Sequence, residues 1–144
     1  MALSVYRIPL PPAYGPPVDH VADVPRGVTV EYGAYLAGPV AHCVECHSTP
    51  GPMGPDLVNA LGAGGMQFPG PWGISVAPNL TPHEDGTRDL SDADIMKIVK
   101  TGVRPDGSHM FPPMGFPFYA SMKDDDLKAI IKYLRSIPPL PDPK

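Results

Sequence analysis

Residues 41–48 read AHCVECHS and hold the only two cysteines of this 144-residue chain, Cys43 and Cys46, with His47 directly after the second. Three chemistries use a C-x-x-C pair. Structural zinc requires two further ligands, as a second C-x-x-C or a closely spaced histidine pair. The other histidines, His20, His42, His83 and His109, stand singly. A thioredoxin-like redox pair belongs at the end of a strand in a strand-helix-strand unit, whereas the residues before Cys43 have helical spacing. The third chemistry is covalent haem attachment, for which C-x-x-C-H is the signature. On a helical turn Cys43 and His47 lie four apart, so both sulfurs reach one edge of a porphyrin while the imidazole faces its iron. Cys43 and Cys46 are then the thioether donors and His47 the proximal ligand.

A sixth ligand must come from the opposite side of the ring. In electron-carrying haem proteins of this type it is usually a methionine sulfur, which favours ferrous iron. Seven methionines are present. Met1 lies in the N-terminal stretch, Met53 is too close in sequence to His47 to cross the ring plane, and Met96 and Met122 fall on or beside helices as core filler. Met66, Met110 and Met114 remain. The last two share HMFPPMGFPFYASM, a proline-stiffened loop, and stiffness matters because a weak iron-thioether bond survives best when the loop already holds the sulfur in place.

The elements that position these residues are helical. Tyr32, Tyr35, Leu36, Val40 and Cys43 have helical spacing from Val30 to about Cys46, with Pro39 removing a backbone bond and bending the helix. Residues 48–81 form a long glycine- and proline-rich loop, of the kind that is usually functional. A second helix starts at the cap Ser91, with Asp94 three residues on, and stops at Gly102. A third starts at Asp124, Asp125 and Asp126, carries Leu127, Ile130, Ile131, Leu134 and Ile137 on one side, and ends before Pro138 and Pro139. Three short helices joined by long loops, with no alternating strand pattern, cannot bury all their apolar faces on one another. A large rigid group is needed at the centre.

Composition bounds the rest. The length suits one domain, divided here into a proline-rich extension over 1–26, read as an extended strap, and a domain over 27–144. Hydrophobic residues make up 42% and net charge is only -4, so collapse is not opposed by self-repulsion. No basic face is available for nucleic acid, and no apolar run approaches the length of a transmembrane helix. The first residues, MALSVYRIPLPPAYGPP, lack the apolar middle and cleavage site of a signal peptide.

Four stretches, GAYLAGPVAHCVECHSTPG (33–51), APNLTPHEDGT (77–87), LSDADIMKIVKTGVRPDG (90–107) and MFPPMGFPFYASMKDDDLKAIIKYLRSIPP (110–139), occur in an order that resembles the class I cytochromes c. Within that group the chain looks most like monohaem cytochromes and the haem subunits that accompany bacterial dehydrogenases. The resemblance implies an all-α, class I cytochrome c fold with three main helices around one covalent haem c. It implies Met114 as sixth ligand, with Met110 the fallback, and Pro78 as the carbonyl partner of the His47 ring N–H, with Pro55 the rival. It also implies that the first and last helices cross closely, bringing Gly33 or Tyr35 against Tyr133. Trp72 and Arg104 are candidate donors to haem propionates. The family's serine cap is replaced by Lys123, which leaves Ser121 as the alternative.

The function expected is single-electron transfer between a dehydrogenase donor and an oxidase or other cytochrome acceptor, with no reaction at iron. Because haem c is attached outside the bacterial cytoplasm, the resemblance implies a periplasmic protein whose leader is absent from this chain. Two other readings compete. One is a haem enzyme or gas binder with a labile sixth position near His109; the other is a haem subunit docked to a dehydrogenase through residues 1–26. Glu84, Asp85 and Asp124 to Asp126 are candidates for steering a basic partner.

Overall fold

The computed structural model describes residue 20 and residues 22–144. Most of the expected 1–26 strap therefore lies outside the described residues. Within its described part Val24 packs against the core. Among the described residues the elements run α1 (Val30–Tyr35), a π-helical turn (Leu36–Val40), α2 (Cys43–Cys46), β1 (Pro50–Gly51), β2 (Gly54–Pro55), β3 (Gln67–Gly70), β4 (Gly73–Val76), α3 (Asp92–Thr101), α4 (Phe116–Tyr119) and α5 (Asp124–Ser136).

Helices build the core, but the loops are not wholly irregular. β1 pairs with β2 and β3 with β4, both antiparallel. These hairpins add two small sheets to the helices of the expected all-α chain. Their strands are only two to four residues long, and β1 and β2 consist of proline and glycine alone, so the sequence carries no extended alternation.

The first expected helix is also broken. Pro39 has no N–H and its ring would collide with the carbonyl four residues back. The chain widens instead into the π turn, where the Ala41 N–H donates to the Leu36 carbonyl at 2.8 Å, a five-residue bond. His42 then takes a left-handed conformation (φ 55°, ψ 24°), uncommon for a residue with a side chain. This ends the first helical run and lets α2 set off in a new direction.

α3 and α5 follow the sequence closely. Ser91 and Asp94 form a reciprocal capping box and Gly102 closes α3 with φ 70°, as a left-handed C-cap should. α5 starts at Lys123, which makes no side-chain cap. Ser121 does not replace it; the acidic first turn opposite the helix dipole is what supports this end.

α1 crosses α5 at the centre. A Cβ on Gly33 would collide with the Ala129 carbonyl oxygen and lie 2.8 Å from Tyr133 Cβ, so the crossing requires glycine there. Tyr35 instead stacks on Tyr32 with ring centroids 6.2 Å apart and remains largely exposed. Leu127 and Ile131 are fully buried. Arg135 pins the end of α5 to the loop before α3, donating to the carbonyls of Thr87 (2.6 Å) and Leu90 and to Asp92.

Candidate functional site

The cleft beside α5 has a volume of about 380 Å³ and is predominantly apolar. Its walls bring together the C-x-x-C-H turn, with Cys43, Cys46 and His47, and the distant methionine loop, with Met110 and Met114. Ile130 and Leu134 of α5 line it from below, so the helix that packs on α1 also floors the cleft. Met66 is not among the lining residues; Met96 packs in the core and Met53 is fully exposed. Met122 packs against the core and also borders the cleft.

The C-x-x-C-H residues occupy a single helical turn, closed by the His47 N–H donating to the Cys43 carbonyl at 3.0 Å. Ser48, fully buried, fastens this turn to the loop behind it: its hydroxyl donates to the Val44 carbonyl at 2.6 Å and accepts from the Gly62 N–H at 2.9 Å. The His47 carbonyl accepts from the Gly64 N–H at 2.7 Å.

His47 itself is nearly buried, and its Nδ1 lies 2.8 Å from the Pro78 carbonyl oxygen. A carbonyl can only accept, so the ring proton is on Nδ1 and Nε2 keeps a free lone pair. Burial lowers the His47 pKa, with the Pro78 contact opposing this, so the imidazole is held in the neutral form a metal ligand needs. Of the two prolines considered, Pro78 makes this bond; Pro55 sits in the β1–β2 hairpin.

Pro78 can come so close because of Gly64. It has φ +77°, and a Cβ there would lie 2.7 Å from the Ala77 oxygen and 2.8 Å from the Pro78 carbonyl carbon. Sequence reasoning passed over Gly64, although the run GAGG was the available signal for left-handed backbone.

Cysteine chemistry discriminates among the three readings. Burial pushes the Cys43 thiol up to about 11, the opposite of the depressed value a redox-active pair requires. Among the described residues no three His, Cys, Asp or Glu side chains converge as metal ligands, which disfavours zinc. A neutral sulfur in an apolar wall suits a thioether. The donor set as a whole fits a flat, apolar, metal-centred ring: two sulfurs at one edge, an oriented imidazole lone pair, and two methionines in the lining.

The methionine loop is braced at two points. The Ser75 hydroxyl donates to the Pro112 carbonyl at 2.6 Å, and the Tyr119 hydroxyl donates to the Ala41 carbonyl at 3.0 Å, directly linking α4 to the chain before the cysteine turn. Arg104 borders the cleft and contacts Ser108 at 3.3 Å; Trp72 is not in the lining and folds over Gly70. His109 is exposed, paired through its backbone with Val103, and does not line the cleft. The candidate steering carboxylates are largely taken up locally, Asp124 with Lys100, Asp125 with Lys128 and Glu84 with Arg88.

Comparison with known proteins gives the family. Residues 30–138 match the model of the cytochrome c family. The chain is 36% identical over 112 residues to the gluconate 2-dehydrogenase cytochrome c subunit of Pantoea cypripedii, covering 77% of this chain and 24% of that protein. It is 36% identical over 115 residues to the cytochrome c subunit of the quinone alcohol dehydrogenase of Gluconobacter oxydans (79% and 22%), and 31% identical over 107 residues to the fructose dehydrogenase cytochrome subunit of Gluconobacter japonicus (74% and 21%). The chain spans less than a quarter of the length of these relatives. With a match that runs through the cysteine turn, the Pro78 loop, the methionine loop and α5, the chain belongs to the cytochrome c family, whose members bind haem c covalently and carry electrons.

Proposed function

We propose that residues 27–144 form a one-haem electron-transfer domain in which Cys43 and Cys46 hold the porphyrin, His47 is the proximal ligand and Met114 the sixth. The observation that carries this reading is the convergence on one apolar cleft of the C-x-x-C-H turn, with Nε2 of His47 left free, and the braced methionine loop. Haem c, when bound, supplies a one-electron ferric/ferrous couple. The protein's own part is orientation and exclusion. The Pro78 carbonyl fixes the imidazole, the aliphatic floor keeps water out, and the methionine loop presents its sulfur.

Met114 is favoured over Met110 by its surroundings. It lies between the Ser75–Pro112 and Tyr119–Ala41 braces and immediately precedes Gly115 and α4. Met110 sits outside the braced span, next to the exposed Phe111.

The relatives are dehydrogenase cytochrome subunits, which supports a dehydrogenase as electron donor, a cytochrome or oxidase as acceptor, and a periplasmic setting. No helix of the described residues is long and apolar enough to cross a membrane. The test is the visible spectrum of matured ferric and ferrous protein. Pigment should survive acid acetone, and Met114→Leu should abolish the weak far-red band of thioether-ligated iron while Met110→Leu keeps it. Loss of that band in Met110→Leu alone would reverse the assignment.

A further inference from the structure

After α5 the chain does not leave the domain. Residues 138–143 turn back over the loop that carries Pro78, where two buried polar side chains meet them. Asn79 is 5% exposed and Thr81 is 0% exposed, so each must find its hydrogen bonds inside the protein. Asn79 Nδ2 donates to the Leu140 carbonyl at 2.8 Å and lies 3.2 Å from Asp142 Oδ1. Its Oδ1 accepts from the Thr81 backbone N–H at 2.8 Å and from the Thr81 hydroxyl at 2.7 Å. The same hydroxyl accepts from the Leu140 N–H at 3.1 Å. Asp142 N–H donates to Asp85 Oδ2 at 3.1 Å, and Pro143 packs against Gly65.

These bonds surround a single peptide group. Pro78 is followed directly by Asn79, and the Pro78 oxygen is the acceptor of the His47 ring proton. Elsewhere the loop is held by backbone bonds, Gly65 N–H to the Ala77 carbonyl at 2.9 Å and Leu80 N–H to the Gly62 carbonyl at 2.8 Å, and at its far end by the Thr87 hydroxyl, which donates to the Thr81 carbonyl at 3.0 Å. The chain after α5 therefore closes the open side of the loop.

We propose that residues 138–143 are a positioning strap for His47, acting through Asn79 and Thr81 on the direction of the Pro78 carbonyl. This rests on the reading that His47 is the proximal iron ligand. A carbonyl that accepts squarely from Nδ1–H makes the imidazole a stronger donor and favours ferric iron. Releasing the strap lets the carbonyl swing, weakens that bond and raises the reduction potential.

The experiment compares matured protein with three variants: deletion of residues 140–144, Thr81→Val, which keeps shape but loses the hydroxyl, and Thr81→Ser, which keeps it. Two quantities are read, the reduction potential and the solvent exchange of the His47 Nδ1–H by NMR of the ferrous form. In the deletion and in Thr81→Val the ferrous-to-ferric ratio at fixed potential should rise on the order of threefold to tenfold, and exchange should speed by a similar factor. Thr81→Ser should match the parent. Unchanged potential and exchange in both disrupted variants, with only the melting temperature lowered, would show the strap to be mere packing and overturn the proposal. A parent whose His47 ring proton shows no haem-shifted resonance would sink the ligand assignment and the strap proposal together, whereas unchanged exchange in the variants sinks the strap alone.

Discussion

The two sides of the cleft are built by different means. On the His47 side, segments 47–48, 62–66 and 77–81 are stitched by backbone and side-chain bonds through buried ground: Ser48, Asn79 and Thr81 are nearly inaccessible to solvent. On the methionine side, residues 103–115 are mostly exposed, Phe111 at 64%, and are held by a short turn, by proline and by the two braces from Ser75 and Tyr119. Dense burial gives the first side the stability of the whole domain, whereas a segment with few buried contacts opens at lower cost. On the proposed ligation, the imidazole is expected to be the permanent ligand, and the sulfur the one that comes off when the protein is stressed.

Glycines with similar backbone angles offer the sharpest way to break this contrast. Gly64 (φ +77°) would place a Cβ into the Pro78 loop, but Gly107 (φ +84°) has nothing within 4 Å. Gly64→Ala is expected to cost about 3 kcal/mol or to prevent maturation, through combined strain and overpacking. Gly107→Ala should cost about 1 kcal/mol from backbone strain alone. Denaturant midpoints of the two variants measure the difference. Equal losses would mean the methionine side is as tightly determined as the histidine side.

Arg135 gives the next effect. Its guanidinium satisfies the Thr87 and Leu90 carbonyls, so Arg135→Met should destabilise by about 2 kcal/mol while leaving the far-red band intact. Loss of the band would show that the two sides are mechanically coupled through α5.

Smaller in stability, but specific to the methionine side, are its braces. Ser75→Ala and Tyr119→Phe should each cost about 1 kcal/mol or less. Each should nevertheless raise the affinity of added imidazole for ferric iron about fivefold, by easing displacement of the sulfur. Titration followed by absorbance decides. If these variants bind imidazole like the parent, the braces do not hold the ligand.

The smallest effect is pH-dependent. The Lys100 ammonium beside Asp124 holds its carboxyl below the usual carboxylate range. A carboxylate whose folded pKa is depressed adds stability above its unfolded pKa and loses it as pH falls through the folded value. Asp124→Asn should therefore lower stability slightly near neutrality and match the parent well below about pH 4, flattening the acid limb, as followed by thermal melts across pH. The pair is exposed at Asp124, so screening keeps the effect modest.

How much of this was readable in the residues depends on how local the cause was. α3 and α5 announce themselves because a capping box, a C-cap glycine and an unbroken apolar repeat all act within a few residues. The C-x-x-C-H turn was equally plain from Cys43, Cys46 and His47. Pro78 could be narrowed only to one of two prolines, since what decides is Gly64, whose closeness to Pro78 is a matter of tertiary approach. Asn79, Thr81 and Ser48 carried no sequence signal, because a buried polar side chain looks like a loop residue until its partners, up to 63 positions away, are known. The hairpins were hidden by strands of two to four residues, too short for a period to register. Tyr119 was hidden because its single hydrogen bond spans 78 residues.

The widened turn at Leu36–Val40 alters how this stretch should be counted. An ordinary helix advances by about 100° per residue, and the π geometry absorbs a residue more than that phase allows. Ring-bearing Tyr32 and the first cysteine are thus kept in their orientations by an irregularity, not by a repeat. Removing one residue at Gly38 would take away that extra residue and turn the C-x-x-C-H segment away from the cleft, whereas the same deletion in an exposed tip such as Met53 would leave these side chains facing as before.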